Sequence, residues 1–110
     1  MTATAKASVI KSLTGNKAAA VGAALCKPDL IAAYPITPQS SVVETLASMI
    51  ADGEIDSKMV QVESEHSAMS VVQGAAMVGG RTFTATSAQG LALMFEPYFR
   101  QSTLILPMVM

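Results

Sequence analysis

The sequence predicts an α/β fold: a doubly wound parallel sheet with helices on both faces. Three observations carry this expectation. Helical and extended segments alternate along the chain in the order α-β-α-β-α-β-α-β, with Gly or Pro at most joints. The run LIAAY (30–34) is apolar without alternation, as a strand buried on both faces reads. The 110 residues are 51% hydrophobic and 14% charged, which excludes a disordered tail and suits one small domain.

Residues 1–12 (MTATAKASVIKS) contain no clear element and read as an N-terminal arm. Thr14, Gly15 and Asn16 offer N-cap chemistry to an Ala-rich helix running to about Cys26. Gly22 inside that helix suggests close approach of a neighbouring backbone. Lys27, Pro28 and Asp29 end it. After the strand 30–34, Pro35-Ile36-Thr37-Pro38 forms a rigid turn. Ser40 or Ser41 then caps a helix over Val42–Ala51, whose Val42, Val43, Leu46, Met49 and Ile50 fall on one stripe. Asp52-Gly53 stops it. KMVQVE (58–63) is the second strand and Ser64–Val78 the third helix, which Gly79-Gly80 ends. TFTAT (82–86) is the third strand, Ser87–Gly90 a turn, Leu91–Phe99 the fourth helix and TLILPMVM (103–110) the fourth strand. No repeat, linker or low-complexity segment divides the chain.

Several function classes drop out. Seven Lys+Arg against eight Asp+Glu, with no basic run, argue against nucleic-acid binding by charge. One cysteine, Cys26, allows no internal disulfide and no cysteine metal cluster, and one histidine, His66, no self-sufficient zinc site. Cys26 reads as a small buried hydrophobe, and the eight methionines as core. No apolar run reaches the ~20 residues that span a bilayer. Lys6, Lys11 and Lys17 ahead of AAAVGAALC (18–26) loosely resemble a signal peptide. The run is weakly hydrophobic, however, and a helix packed on a sheet explains it better, so the expected location is the cytoplasm. The chain stops on its most hydrophobic segment, which suggests an N-terminal fragment truncated at Met110 or a partner covering that end.

In parallel α/β sheets, ligands bind beyond the carboxyl ends of strands. Three such turns are expected on one edge: Tyr34–Pro38, Glu63–His66 and Ser87–Gly90. An acid at the head of a helix ordinarily serves its dipole and caps. Here the segment after Glu65 is almost wholly apolar, so a carboxylate there is partly desolvated and could exchange a proton with a ligand ring nitrogen. Thr37, between two prolines, is either an ordinary turn residue or a hydroxyl held to donate to a ligand. His66 reads as a surface or capping residue. No GxGxxG, P-loop or GxSxG motif occurs.

Three strings together resemble one family. AAYPITP (32–38), with GNKAAAVGA (15–23) upstream, resembles the start of the alpha chain of 2-oxoacid:acceptor (ferredoxin-type) oxidoreductases. VESEHSA (62–68) followed by Gly74-Ala75-Ala76 resembles their glutamate segment, and TATSAQGL (84–91) their third strand and turn. The resemblance covers roughly 13–110 in the same order, and its YPITP-type string is the most specific part.

The resemblance implies the thiamine-diphosphate-binding fold, with 13–110 as the N-terminal part of a pyrimidine-binding domain. Glu65 would hydrogen-bond N1′ of the aminopyrimidine and promote its imino tautomer. Glu63 is the second choice, because the string SE-x-x-A places the family's glutamate at Glu65. Thr37 would contact the substrate carboxylate, with Tyr34, Pro35 and Ile36 lining the pocket. Ser87, Gln89 and Gly90 would lie close to the pyrimidine.

The family's substrate-binding arginine would fall beyond Met110. No GDG motif occurs, so the diphosphate and Mg²⁺ would be held by a partner beta chain, and no metal ligand is expected here. Iron–sulfur clusters need several cysteines, so electrons would leave through an iron–sulfur partner to ferredoxin, or to NAD through a flavin/NAD subunit. The implied reaction is oxidative decarboxylation of a 2-oxoacid to acyl-CoA and CO2, with this chain inactive alone. Pyruvate, 2-oxoglutarate and branched 2-oxoacids all fit. The N-terminal wording is nearest the branch that converts phenylglyoxylate to benzoyl-CoA. Two other readings remain: a flavodoxin-like or receiver-like binding domain, although a receiver wants clustered acids where Pro35–Pro38 stands, and an interaction domain that keeps the fold without the site.

Overall fold

The computed structural model describes residues 7–110. The first part of the expected arm, residues 1–6, lies outside the described residues, and residues 7–14 form neither helix nor strand.

Helix α1 (Gly15–Leu25) begins where the Thr14 hydroxyl accepts the Lys17 N–H at 3.3 Å, and it buries Ala20 and Ala24. Strand β1 (Leu30–Ala33) follows, then α2 (Ser40–Ala51). The N-cap of α2 is Gln39, which makes no capping bond, so the expectation of a cap at Ser40 or Ser41 is corrected. Ser40 is already helical, and the Ser41 hydroxyl instead accepts from Asn16 Nδ2 at 2.8 Å, tying α2 to α1. Gly53 ends α2 at φ 73°, with Gly53 N–H bonding Ile50 O and Glu54 N–H bonding Met49 O. Strand β2 (Lys58–Gln61) leads to α3 (Glu65–Met77), capped by Ser64, which accepts the Ser67 N–H at 3.2 Å. Gly79 and Gly80 close α3 with a Schellman pair, Gly79 N–H to Ala76 O and Gly80 N–H to Ala75 O.

Beyond β3 (Thr82–Phe83) the structure departs from the expected pattern. The single helix 91–99 is instead two, α4 (Gln89–Leu93) and α5 (Phe95–Leu104), with Met94 buried at the joint. Pro97 explains the break. It has no N–H for the Leu93 carbonyl, and it is tolerated only in the first turn of a new helix. Helix α5 then takes Thr103 and Leu104 from the expected fourth strand and ends at Ile105, which is left-handed at φ 51°. Pro107 follows, and of the strand 103–110 only Val109 pairs, as a parallel bridge to Phe83.

The sheet is parallel throughout, in the order β2-β1-β3, with Leu30 opposite both Lys58 and Thr82. Adjacent β1 residues point to opposite faces. Ile31 packs with Ala20, Ala24, Val42 and Leu46 from α1 and α2. Ala32 packs with Ala68, Met69 and Val72 from α3 and with Met94. Helices therefore cover both faces, and the doubly wound fold is the observed one.

Two further expectations are corrected. Cys26 is exposed, because it caps α1 beyond the Ala20–Ala24 stripe instead of lying on it. Gly22 meets no neighbouring backbone: a Cβ built there finds nothing within 4 Å. Among the methionines, Met69 and Met94 are core, whereas Met77 is exposed.

Candidate functional site

The parallel sheet delivers the ends of β1, β2 and β3 to one edge, and three turns meet there. The first runs from Tyr34 to Gln39. Backbone bonds from Gln39 N–H and Ser40 N–H to Ile36 O close it, and the Gln39 side chain reinforces it by accepting the Ile36 N–H at 3.5 Å. Tyr34, Pro35 and Thr37 are exposed and Ile36 is half-buried. The third turn is tied to the first where the Ser87 hydroxyl donates to Thr37 O at 3.1 Å.

The second turn carries the two candidate carboxylates, which differ sharply. Glu63 is exposed and accepts a hydrogen bond from the Ser67 hydroxyl. That bond, with its own backbone N–H, holds the Glu63 carboxyl below the usual carboxylate range. Glu65 is the first residue of α3 and only 3% exposed. Its side chain lies against Gly90. A Cβ built on Gly90 would stand 2.9 Å from Glu65 Oε1, 3.0 Å from Glu65 Cγ and 2.2 Å from Thr86 Oγ1. Gly90 is therefore required for space, because any side chain there would displace the carboxylate. Its immediate role is toward Glu65.

Around this carboxylate the backbone is unusual. Ala88, the residue before α4, sits at φ 51°, ψ −132°, a conformation that L-residues rarely adopt. Gln89 is exposed at the start of α4, Ser87 is half-buried, and His66 is exposed. Four buried side-chain polar atoms lack partners among the described residues, Gln39 Nε2, Thr82 Oγ1, Thr86 Oγ1 and Gln101 Oε1, and of these Thr86 Oγ1 borders the same Gly90 space as Glu65. None of the four residues stood out in the sequence. Thr86 sits inside the string TATSAQG, but nothing in the order of residues says that its hydroxyl borders Glu65.

A carboxyl group buried beside a glycine cradle, with an unpaired hydroxyl next to it, is chemistry that a polar heterocycle would use. Residues 21–110 match the family described as pyruvate flavodoxin/ferredoxin oxidoreductase, thiamine diphosphate-binding. The chain belongs to this family.

Its relatives agree. The chain is 58% identical over 96 residues to the alpha subunit of NADH-dependent phenylglyoxylate dehydrogenase of Aromatoleum evansii, covering 87% of this chain and 23% of the relative. It is 57% identical over 101 residues to the pyruvate synthase subunit PorA of Methanocaldococcus jannaschii, covering 92% and 26%. Among solved structures, it resembles the 2-oxoglutarate:ferredoxin oxidoreductase of Magnetococcus marinus, bound to 2-oxoglutarate, coenzyme A and succinyl-CoA. The TM-score is 0.81 at 34% identity, over 88% of this chain and 17% of that one. The chain thus spans about a quarter of the length of the curated relatives it matches.

The residues present fit the pyrimidine end of thiamine diphosphate. A buried carboxyl can share a proton with a ring nitrogen, and the glycine cradle keeps it in place. No group of three or more His, Cys, Asp or Glu suited to a metal occurs among the described residues. No helix among them is long and apolar enough to cross a membrane.

Proposed function

We propose that residues 13–110 belong to the pyrimidine-binding domain of the alpha chain of a thiamine-diphosphate-dependent enzyme. That enzyme oxidatively decarboxylates a 2-oxoacid to its acyl-CoA and CO2. One observation carries the reading: Glu65 is buried at the head of α3, against a glycine whose missing side chain leaves space beside its carboxyl group. Thiamine diphosphate, when bound, supplies the nucleophilic carbon and the electron sink for the loss of CO2. Glu65 holds a proton at the N1′ ring nitrogen, where burial makes the hydrogen bond strong and its loss costly. Ser87 and Gln89 flank the ring, and Gly90 keeps Glu65 in register. The Thr37 hydroxyl donates to the substrate carboxylate, and Tyr34, Pro35 and Ile36 form the adjoining wall.

The proposed substrate is phenylglyoxylate, giving benzoyl-CoA. The 58% identity to a phenylglyoxylate dehydrogenase subunit supports it, while the pyruvate synthase relative at 57% keeps pyruvate as the alternative. The proposed partners are a beta chain that holds the diphosphate and Mg²⁺, an iron–sulfur subunit and a flavin/NAD subunit, assembled in the cytoplasm. The relatives' printed names, an alpha subunit and a subunit PorA, support partner chains, and the chain alone is proposed to be inactive.

The test is a 2-oxoacid panel on the complex purified with this chain. Pyruvate, 2-oxoglutarate, 2-oxoisovalerate and phenylglyoxylate are offered without oxygen, with CoA and either NAD or a viologen dye. Phenylglyoxylate is expected to turn over fastest, and Glu65→Gln to abolish most activity without harming assembly. Turnover of another member alone replaces the substrate. No turnover of any, with cofactor and clusters in place, overturns the reaction.

A further inference from the structure

Thr86 is outside every role assigned so far, yet its hydroxyl is one of the few buried polar atoms without a partner among the described residues. A buried hydroxyl left unpaired costs about 1–3 kcal/mol, so such a group in a native fold calls for an explanation. Its position suggests one. Thr86 Oγ1 and Glu65 Oε1 both lie within 3 Å of the point where a Gly90 Cβ would stand. The missing glycine side chain thus leaves a small volume that both oxygens border, with no intervening atom of Gly90 to separate them. Thr86 follows β3, whose neighbouring Thr84 hydroxyl is already committed to Ala32 O at 2.8 Å. Thr86 is left as an uncommitted donor beside Glu65.

We propose that Thr86 is a positioning residue for Glu65. Its hydroxyl donates a hydrogen bond to one carboxyl oxygen of Glu65, which leaves the other oxygen for the ring nitrogen of the cofactor. A small torsional adjustment of either side chain into the space beside Gly90 makes the bond. The glycine is thereby explained twice over, since it admits both the carboxylate and the hydroxyl that orients it. The inference rests on the assignment of Glu65 to the pyrimidine ring.

The experiment compares Thr86→Val, Thr86→Ser, Glu65→Gln and the double variant Glu65→Gln/Thr86→Val in the assembled complex. Two readouts are taken: the dissociation constant for thiamine diphosphate with Mg²⁺, and the near-ultraviolet circular dichroism of the bound aminopyrimidine. Thr86→Val keeps the shape of the side chain and removes the donor. It is expected to weaken cofactor binding about tenfold, the order expected for losing a buried hydrogen bond, and to alter the dichroic band. Thr86→Ser restores both. In the Glu65→Gln background, Thr86→Val adds little. If Thr86→Val matches the wild type while Glu65→Gln changes the spectrum, the role of Thr86 is refuted and that of Glu65 stands. If Thr86→Ser is as impaired as Thr86→Val, or if the effects of the two sites simply add, Thr86 acts through packing and the proposal fails. If Glu65→Gln leaves the cofactor spectrum untouched, the underlying assignment of Glu65 fails instead.

Discussion

Gly90→Ala is the most informative single substitution in this chain. One added methyl group would stand 2.2 Å from Thr86 Oγ1, 2.9 Å from Glu65 Oε1 and 3.0 Å from Glu65 Cγ. The first contact can be relieved by turning the Thr86 hydroxyl to another rotamer. The contact with Cγ cannot, because Cγ is one bond from the Cβ that α3 holds in place. Either Glu65 or α4 must give by a few tenths of an ångström. Overpacking of this kind costs typically 1–3 kcal/mol. Gly22→Ala is the internal control: it also replaces a helical glycine, but in open space. That change should be neutral or stabilising, by about 0.5–1 kcal/mol from helix propensity. Thermal or denaturant unfolding of the complex that carries each variant gives the comparison, and cofactor binding gives the second axis. Gly90→Ala is expected to lower both, and Gly22→Ala to lower neither. If Gly90→Ala unfolds and binds cofactor like Gly22→Ala, then Glu65 is free to move and the site geometry argued above is wrong.

Three other outcomes follow from the same structure. Thr37→Val should raise KM for the 2-oxoacid more than it weakens cofactor binding, and unchanged steady-state kinetics would refute the role of its hydroxyl. Ala88→Gly relieves a backbone conformation that costs on the order of 1–3 kcal/mol for a residue with a Cβ, so the midpoint of unfolding should rise; an unchanged or lower midpoint would show that the turn carries no such strain. Glu63 is held below the usual carboxylate range by the Ser67 hydroxyl first and its own backbone N–H second. A depressed folded-state value favours folding above the unfolded carboxylate pKa and loses that effect as pH falls through the folded value. Ser67→Ala should therefore move the Glu63 titration midpoint upward, as read from its side-chain carboxyl carbon by nuclear magnetic resonance; no shift would place the cause elsewhere.

Local punctuation made most of the fold legible. Thr14 caps α1 as its side-chain oxygen predicts, and Gly53 and Gly79 end helices at positive φ, where a Cβ is penalised. The apolar run 30–34 reads as the central strand because both of its faces meet helices. The C-terminal third read less well. Thr103 and Leu104 look like strand residues by propensity, yet α5 continues through them, and Pro97 divides what looked like one helix. Propensity is a weak guide where a helix already under way can extend by one more hydrogen bond.

The site divides the same way. The order of residues by itself determined the chemical inventory: a YPITP turn, the carboxylates Glu63 and Glu65 flanking Ser64, a TSAQG turn, and a single cysteine and a single histidine. It also determined that three strand ends would share an edge, because parallel strands linked by helices all point the same way. Tertiary structure alone decided which carboxylate is buried, since Glu63 and Glu65 are two residues apart and differ in what packs over them. Glu65 lies under Gly90, 25 positions away in sequence, whereas Glu63 faces water. It also decided that Thr86 belongs beside Glu65, and that Ser87 ties the third turn to Thr37. Contacts of this kind depend on how α3 and α4 settle against one another. Packing between distant segments is fixed by the whole core at once, and no local pattern records it.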